Sequence, residues 1–287
     1  MSDDWVDFPI QPKHSAAQTC RIRLSRDHFS QRLMRETLER GESYEVDTSR
    51  LLLTALRPGD LFMDIGAHVG YFSLLGAVAV GPEGHVIAVE ANPDNAEQLS
   101  GNLLENGFTH VVHHQAAAGA KPGLATFFLN SDNDGGHALW EVGRHPWNKQ
   151  SRVDDQKLEV EVTTLDVLAK GMTPRAIKID TEGAELDILR GAPELLSRHP
   201  DFIVCEANRF GLKQMGGSEE DLRALMKNYG YRCYYINSKA STCNLMKFSI
   251  CCSARMRRSE SCRRERSRQG GRASSGRTAG RGGGRIS

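Results

Sequence analysis

The sequence predicts an α/β fold in which helices cover both faces of a mostly parallel sheet that carries a small β insertion. Between residues 61 and 118, short apolar segments typical of buried strands alternate with segments typical of helices. The same alternation resumes after residue 176, and between these stretches two β-patterned segments follow each other with no helix pattern between them. Such alternation favours parallel strands joined by helical crossovers, and the interruption favours an insertion.

Length and composition set the expected domain organisation. A chain of 287 residues with 39% apolar residues can bury one substantial core and still carry extensions. We expect an N-terminal extension at residues 1–50, the main domain at 51–240 and an Arg/Gly/Ser-rich tail at 241–287. The acidic start lacks the apolar segment of a signal peptide, and no apolar run is long enough to span a bilayer. We therefore expect a cytoplasmic protein.

The elements predicted in the first half are bounded by capping and turn residues. Gly41 ends the first helix, and a Pro-Glu-Gly turn at 82–84 ends the second. Asn92 caps a third helix, which Gly107 ends. The predicted helices cover residues 27–40, 70–80 and 93–106, and the predicted strands cover residues 61–67, 85–91 and 111–118.

The second half begins with the insertion and then returns to the parallel sheet. The two strands of the insertion are predicted at 125–130 and 158–165. The later strands are predicted at 176–180, 201–207 and 232–237, the last closing the sheet, and the later helices at 182–196 and 218–229. Right-handed crossovers would place the carboxyl ends of the parallel strands on one rim, where open α/β sheets bind their ligands.

The run DIGAHVG, from Asp64 to Gly70, lies where a strand passes into a helix. Gly66 permits a tight turn and close approach of the backbone to a ligand, and the Asp64 carboxylate can hold a cationic group. A dinucleotide fingerprint would need glycine at two further positions, where this chain has His68 and Tyr71. The run therefore suits a nucleoside cofactor that has an amino acid end and no phosphate.

Glu90 ends the second predicted strand, 26 residues after Asp64. An acid at this place can accept hydrogen bonds from both ribose hydroxyls of an adenosine. NAD sites share the feature, so it indicates a nucleoside rather than a particular reaction. Asn92 could support the ribose or the adenine, and helix capping explains it equally well.

A second informative run is IKIDTEGAELDILRGA, residues 177–192. Asp180 ends an apolar strand, and an acid on the ligand rim can orient a hydroxyl, take its proton or hold a metal ion. Glu182 and Glu185 open the following helix, where the helix dipole favours acidic side chains. We favour a functional role for Asp180 and a structural role for Glu185.

Other polar residues near the predicted rim have no sequence partner that fixes a role. Glu206 ends the next strand and could bind a polar substrate together with Asn208. His137 lies in a Gly-rich loop of the kind that often covers a site. His113 and His114 lie on a strand, and we expect them to pack or to face solvent.

The two runs together resemble the FkbM family of methyltransferases. The matching segments are DIGAHVGYFSL, VEANPDN, and TTLDVL followed by IKIDTEGAELDILRGA. The similarity extends from about Gly41 to Asn208, and more weakly to about Asn237. The resemblance implies a Rossmann-like class I methyltransferase fold and S-adenosylmethionine as the methyl donor. It further implies methylation of a hydroxyl oxygen on a sugar or another small natural product.

The resemblance also assigns roles to residues of this chain. Tyr44 and Glu45 would close over the cofactor, although a surface helix end explains them nearly as well. Asp180 and Glu182 are the expected catalytic residues. A bound divalent cation could lower the pKa of the acceptor hydroxyl, but no ligand cluster in the sequence demands one, so we assign no metal ligands. The residues expected to contact the cofactor are Asp64, Gly66, Ala67, His68, Gly70, Glu90 and Asn92.

The C-terminal tail departs from the family pattern. Residues 251–287 contain eleven Arg, no Lys and two Glu, a net charge of +9, which leaves −8 for the rest of the chain. Such a tail is either an RNA-binding arm or the product of a shifted reading frame, and we favour the second. Two alternatives thus stay open: an RNA methyltransferase that docks through its tail, and a non-catalytic S-adenosylmethionine-binding module. We expect a small-molecule acceptor and neither a nucleic acid nor a membrane as partner.

Overall fold

The computed structural model describes residues 4–236 and 247–253, and of residues 247–250 only the backbone. The predicted tail beyond residue 253 therefore lies outside the described residues. Within the described part of the chain, no helix is both long and apolar enough to cross a membrane.

The first fifty residues fold into a hairpin and two helices. Strands β1 (Trp5–Ile10) and β2 (Gln18–Arg23) pair antiparallel, and helices α1 (Phe29–Glu39) and α2 (Val46–Ala55) follow. Alternate side chains of the hairpin are buried. They belong to the same apolar cluster as the side chains of the helix at Tyr71–Val80. The helix predicted at 27–40 is confirmed as α1. The hairpin and α2 were not predicted.

The remaining elements alternate along the chain as the sequence predicts. The strands are β3 (Leu61–Ile65), β4 (His85–Glu90), β5 (Val111–Gln115), β6 (Ala117–Ala118), β7 (Gly123–Phe128), β8 (Lys157–Thr163), β9 (Ala176–Ile179), β10 (Phe202–Asn208), β11 (Arg232–Tyr235) and β12 (Lys247–Ser253). The helices are α3 (Tyr71–Val80), α4 (Pro93–Glu105), α5 (Lys149–Asp154), α6 (Leu165–Ala169), α7 (Glu185–Arg190), α8 (Pro193–Ser197), α9 (Arg209–Gln214) and α10 (Glu219–Asn228).

A seven-stranded sheet in the order β11-β12-β10-β9-β3-β4-β5 forms the centre. The five strands from β10 to β5 are parallel, and β12 runs antiparallel to both of its neighbours. Strand β3 is buried on both faces, with Met63 in the cluster of α6–α8 and α10 and Phe62 in that of α1–α4. The predicted α/β class with a mostly parallel sheet is confirmed. The carboxyl ends of β9, β3 and β4 consequently lie side by side.

The predicted insertion is also present. Strands β7 and β8 pair antiparallel, and β6 joins β8 to give a separate three-stranded sheet. The strand predicted at 111–118 is therefore wrong as one unit, because its first part belongs to the central sheet and its last two residues belong to the insertion.

The helix predicted at 182–196 is two short helices, so this prediction is wrong. Helix α7 begins only at Glu185 because Glu182 and Gly183 have left-handed backbones, with φ of 56° and 121°. Helix α8 begins at Pro193, whose ring cannot continue the hydrogen-bonding pattern of α7.

Strand β12 falls inside the segment predicted to be tail. Cys252 pairs with Ile203 of β10 on one side and with Cys233 of β11 on the other. The boundary predicted at residue 240 thus precedes a strand of the central sheet. The Arg and Ser residues that follow this segment favour a tail, although KFSICCS itself is apolar enough for a strand.

Candidate active site

A cavity that is partly open to solvent lies at the carboxyl ends of the parallel strands. The turn after β3 and the end of β4 form one wall, and the turn after β9 forms another. Residues 116–118 and part of the loop at 130–137 complete the enclosure. Among the residues predicted to form the site, those that line this cavity are Gly66, Ala67, His68, Glu90, Asp180 and Glu182.

Glu90 is held at one end of the cavity by two backbone amides. His68 N–H donates to its Oε2 at 2.8 Å, and Asn92 N–H donates to its Oε1 at 2.8 Å. Burial raises the pKa of this carboxyl, while the two amides act in the opposite direction. Each carboxylate oxygen retains a further lone pair, so Glu90 can still accept hydrogen bonds from two vicinal hydroxyls.

The loop at 130–137 crosses the same end of the cavity. Oδ2 of Asp134 lies 3.0 Å from Nε2 of His68. Burial pushes the pKa of Asp134 upward, but the bond and charge of His68 and the backbone N–H of Ser30 lower that pKa to about 2. Asp134 is therefore a fixed negative charge on the cavity wall.

His137 also lines the cavity, as the sequence suggests. Its Nδ1 accepts a hydrogen bond from the backbone N–H of Asn130 at 2.8 Å. Burial, with a contribution from His68, lowers the pKa of His137 to about 4. The neutral ring then carries its proton on Nε2, so His137 can donate a hydrogen bond but cannot act as a base through Nδ1.

The other end of the cavity is acidic. Oxygen atoms of Glu45, Asp180 and Glu206 lie within 4.8 Å of one another. Nζ of Lys178 lies 3.3 Å from Oδ2 of Asp180. These three carboxylates could hold a divalent cation, and the ammonium already supplies one positive charge beside them. Tyr44 lines the same end, and burial followed by the charge of Glu45 raises the pKa of its phenol.

Glu182 faces the cavity from a tightly held turn. Nδ2 of Asn208 donates to its Oε2 at 2.6 Å, and Nε1 of Trp140 donates to its carbonyl at 2.6 Å. Glu182 and Asp180 both line the cavity, and Glu206 lines it from β10. Their catalytic role stays a prediction.

Glu185 is fully buried behind this turn and does not line the cavity. Its Oε1 accepts hydrogen bonds from the backbone N–H of Gly183 at 2.9 Å and of Thr181 at 3.3 Å. Burial raises its pKa to about 8. The structural role favoured for Glu185 fits these contacts, because the side chain shapes the turn that carries the acidic residues.

Three of the predicted cofactor contacts lie behind the cavity wall. Asp64 is fully buried, accepts a hydrogen bond from Oγ of Ser73 at 2.7 Å, and has its pKa raised by burial. Gly70 has φ of 97° and packs against Leu99, which allows the turn to enter α3. Asn92 caps α4 by accepting the backbone N–H of Asn95 at 2.9 Å. Contact of these three residues with a cofactor stays a prediction.

Several residues of the site were not identified from the sequence. Lys178 lies in an apolar strand. Lysine is almost never fully buried unless it is paired, so its presence there is a sequence signal of a buried ion pair. Asp134 gave no such signal, since its partners Ser30 and His68 are 104 and 66 residues away.

The sheet order and the site at its carboxyl rim define a class I methyltransferase fold. Residues 64–233 match the family described as Methyltransferase FkbM domain. The chain belongs to this family, and the resemblance found in the sequence is confirmed.

Individual relatives match only parts of this chain. It is 42% identical over 65 residues to a Protein-L-isoaspartate O-methyltransferase of Aeropyrum pernix, covering 23% of this chain and 25% of that protein. It is 32% identical over 68 residues to an Arsenite methyltransferase of Halobacterium salinarum, covering 24% and 17%. The chain thus spans about a quarter or less of these two curated relatives.

A solved structure of a methyltransferase FkbM from Methylobacillus flagellatus superposes with a TM-score of 0.44 at 17% identity. The superposition covers 80% of this chain and 56% of that one.

Proposed function

We propose that this protein transfers a methyl group from S-adenosylmethionine to a hydroxyl oxygen of a sugar or another small natural product. The observation that carries the proposal is that one cavity has two chemically different ends. Glu90 stands at one end with its two oxygens oriented by backbone amides, and the carboxylates of Glu45, Asp180 and Glu206 stand at the other.

The donors and acceptors of the cavity fit S-adenosylmethionine. Glu90 matches the two ribose hydroxyls, and the apolar side chains of Ala91, Ala117 and Phe127 beside it match a flat adenine ring. The acidic end matches the positive charge of a sulfonium and an amino group. No phosphate is needed to account for any of these side chains.

The residues of the chain would mainly align the reactants. Bound S-adenosylmethionine supplies an activated methyl group, so a hydroxyl held in line with it needs little further activation. Such alignment contributes about 7–11 kcal/mol in well-oriented systems. Asp180 is our proposed acceptor of the hydroxyl proton because its side chain is 23% exposed, whereas Oε2 of Glu182 already binds Asn208.

Calorimetric titration with S-adenosylmethionine, S-adenosylhomocysteine and NAD tests the cofactor. We expect the two adenosyl ligands to bind and NAD not to bind. Glu90→Gln should weaken adenosyl binding by about tenfold to a hundredfold, since hydrogen bonds to a charged group are lost. Glu97→Gln, at an exposed position of α4, is the matched control and should bind like the wild type.

Transfer of a labelled methyl group to a panel of sugars and glycosides tests the reaction. Asp180→Asn should reduce the transfer rate by about 10²–10⁴-fold, the range for loss of a general base. Cofactor binding without transfer to any hydroxyl acceptor would instead favour the non-catalytic binding module.

A further inference from the structure

The side chain of Asp134 joins the loop at 130–137 to two other elements at the nucleoside end of the cavity. Its Oδ1 accepts the backbone N–H of Ser30 in α1 at 2.7 Å, and its Oδ2 lies 3.0 Å from Nε2 of His68 in the turn after β3. Nδ2 of Asn95 in α4 donates to the Asp134 carbonyl at 3.2 Å. One residue of the insertion thus fixes the loop to three parts of the main domain.

Part of this arrangement is structural. The N-cap residue of α1, His28, makes no side-chain capping bond to the helix. Asp134 satisfies one of the free N–H groups there and places a negative charge at the positive end of the helix dipole. Any test of Asp134 must therefore separate a loss of stability from an effect on the site.

The bond to His68 has a different consequence. His68 has a left-handed backbone with φ of 51°, a conformation that non-glycine residues keep only when their surroundings hold them. In this conformation its N–H donates to Oε2 of Glu90 at 2.8 Å. Its ring is held by Asp134, whose Oδ2 lies 3.0 Å from Nε2. A continuous set of contacts therefore runs from Asp134 through His68 to Glu90.

We propose that Asp134 is a positioning residue for cofactor binding, which acts through His68 to orient the Glu90 carboxylate. This inference rests on the proposed function, because it takes Glu90 to bind the ribose of S-adenosylmethionine. It assigns the insertion a part in the cofactor site that its sequence does not reveal.

A double-mutant cycle on the full chain tests the coupling. The affinity for S-adenosylhomocysteine is measured by calorimetry for wild type, Asp134→Ala, Glu90→Gln and the double variant. Asp132→Ala is the control, because Asp132 anchors the same loop to Ser151 N–H at 2.8 Å without lining the cavity. Melting temperatures without ligand report the structural effect of each change, and Asp134→Asn replaces the alanine variant if that variant does not fold.

We expect Asp134→Ala to weaken binding on the order of tenfold, the lower end of the loss found when a residue that orients a metal ligand is changed. The same change should have an effect of less than about threefold when Glu90 is already Gln, because coupled residues are not additive. Asp132→Ala should stay within about twofold of wild type.

Three results would overturn the inference while leaving the proposed function intact: unchanged binding by Asp134→Ala, an equal loss in Asp132→Ala, or losses that add fully in the double variant. A folded wild type that binds no adenosyl ligand would overturn the proposed function, and this inference with it.

Discussion

Nζ of Lys178 lies 3.3 Å from Oδ2 of Asp180, and the Lys178 side chain is only 4% exposed. Its ammonium also lies 4.6 Å from the centre of the Phe72 ring. Burial would lower the pKa of this lysine, but Asp180 and then Asp64 reverse the effect and raise it. Lys178 is therefore a permanent positive charge. It offsets the repulsion among the carboxylates at the acidic end of the cavity.

Lys178→Met should lower the free energy of unfolding by up to about 3–5 kcal/mol, because it removes a buried positive charge from beside the half-buried Asp180 and the fully buried Asp64. Urea denaturation measures the loss. Lys157→Met removes an exposed lysine from its pair with Asp155 and should cost at most about 1 kcal/mol. If the two variants lost similar amounts of unfolding free energy, the buried Lys178–Asp180 pair would stabilise the protein no more than an exposed pair does.

Gly66→Ala should destabilise the protein and impair cofactor binding. Gly66 has φ of 79°, and a Cβ there would overlap the carbonyl of Asp180. The backbone conformation alone costs about 1–2 kcal/mol for alanine, and the overlap would push the turns after β3 and β9 apart. Thermal unfolding and calorimetry measure the two effects.

Gly101→Ala is the control for that substitution. Gly101 lies inside α4, and a Cβ there has no neighbour within 4 Å among the described residues. Alanine is favoured over glycine in a helix interior by about 0.5–1 kcal/mol, so this variant should be slightly more stable than the wild type. A stable, ligand-binding Gly66→Ala variant would contradict the close approach of the two turns.

Glu185→Gln should change how stability depends on pH. The pKa of Glu185 is raised from 4.5 to about 8, so between these values the folded protein keeps a proton that the unfolded chain releases. Its contribution is therefore fully present below pH 4.5 and is lost as pH rises towards 8, by at most about 1.4 kcal/mol per pH unit.

Glutamine does not titrate, so the stability of Glu185→Gln relative to wild type should rise from pH 5 to pH 8. Urea denaturation across this range gives the comparison. Glu194→Gln, at an exposed helical position, should show a nearly constant difference. A constant difference for Glu185→Gln as well would mean that the buried carboxyl ionises normally.

Asn92→Ala and Asn92→Ser separate the two explanations of Asn92. The side chain caps α4, so alanine should cost about 0.5–2 kcal/mol of stability, whereas serine keeps the cap. If capping is the whole role, the serine variant binds S-adenosylhomocysteine like the wild type. Weaker binding with normal stability would instead assign Asn92 to the cofactor site.

Local patterns were sufficient to predict the parallel strands of the sheet and the polar residues at its rim. The strand-end positions of Glu90 and Asp180 follow from apolar runs that stop at an acid, and parallel strands bring such ends together. The N-terminal hairpin could also have been predicted, since Val6, Phe8 and Ile10 alternate with polar or less apolar residues in the way a half-buried strand requires.

Contacts between distant segments could not be predicted from these patterns. The bond between His68 and Asp134 depends on where an insertion of irregular loops folds back, which no local periodicity specifies. The start of helix α7 at Glu185 rather than at residue 182 depends on the left-handed backbone of Glu182, and glutamate is ordinarily a good helix former. Both features belong to the site, where local preferences are overridden by the tertiary structure.

The placement of β12 between β10 and β11 bears on how the protein is synthesised. A ribosome completes β10 and β11 before it adds residues 247–253, so the strand that lies between them is synthesised after both of its neighbours. During that interval both strands expose unpaired backbone groups, a state prone to association with other chains. Glu206 and Asn208 lie on β10, and this strand gains its second neighbour only when β12 has been synthesised.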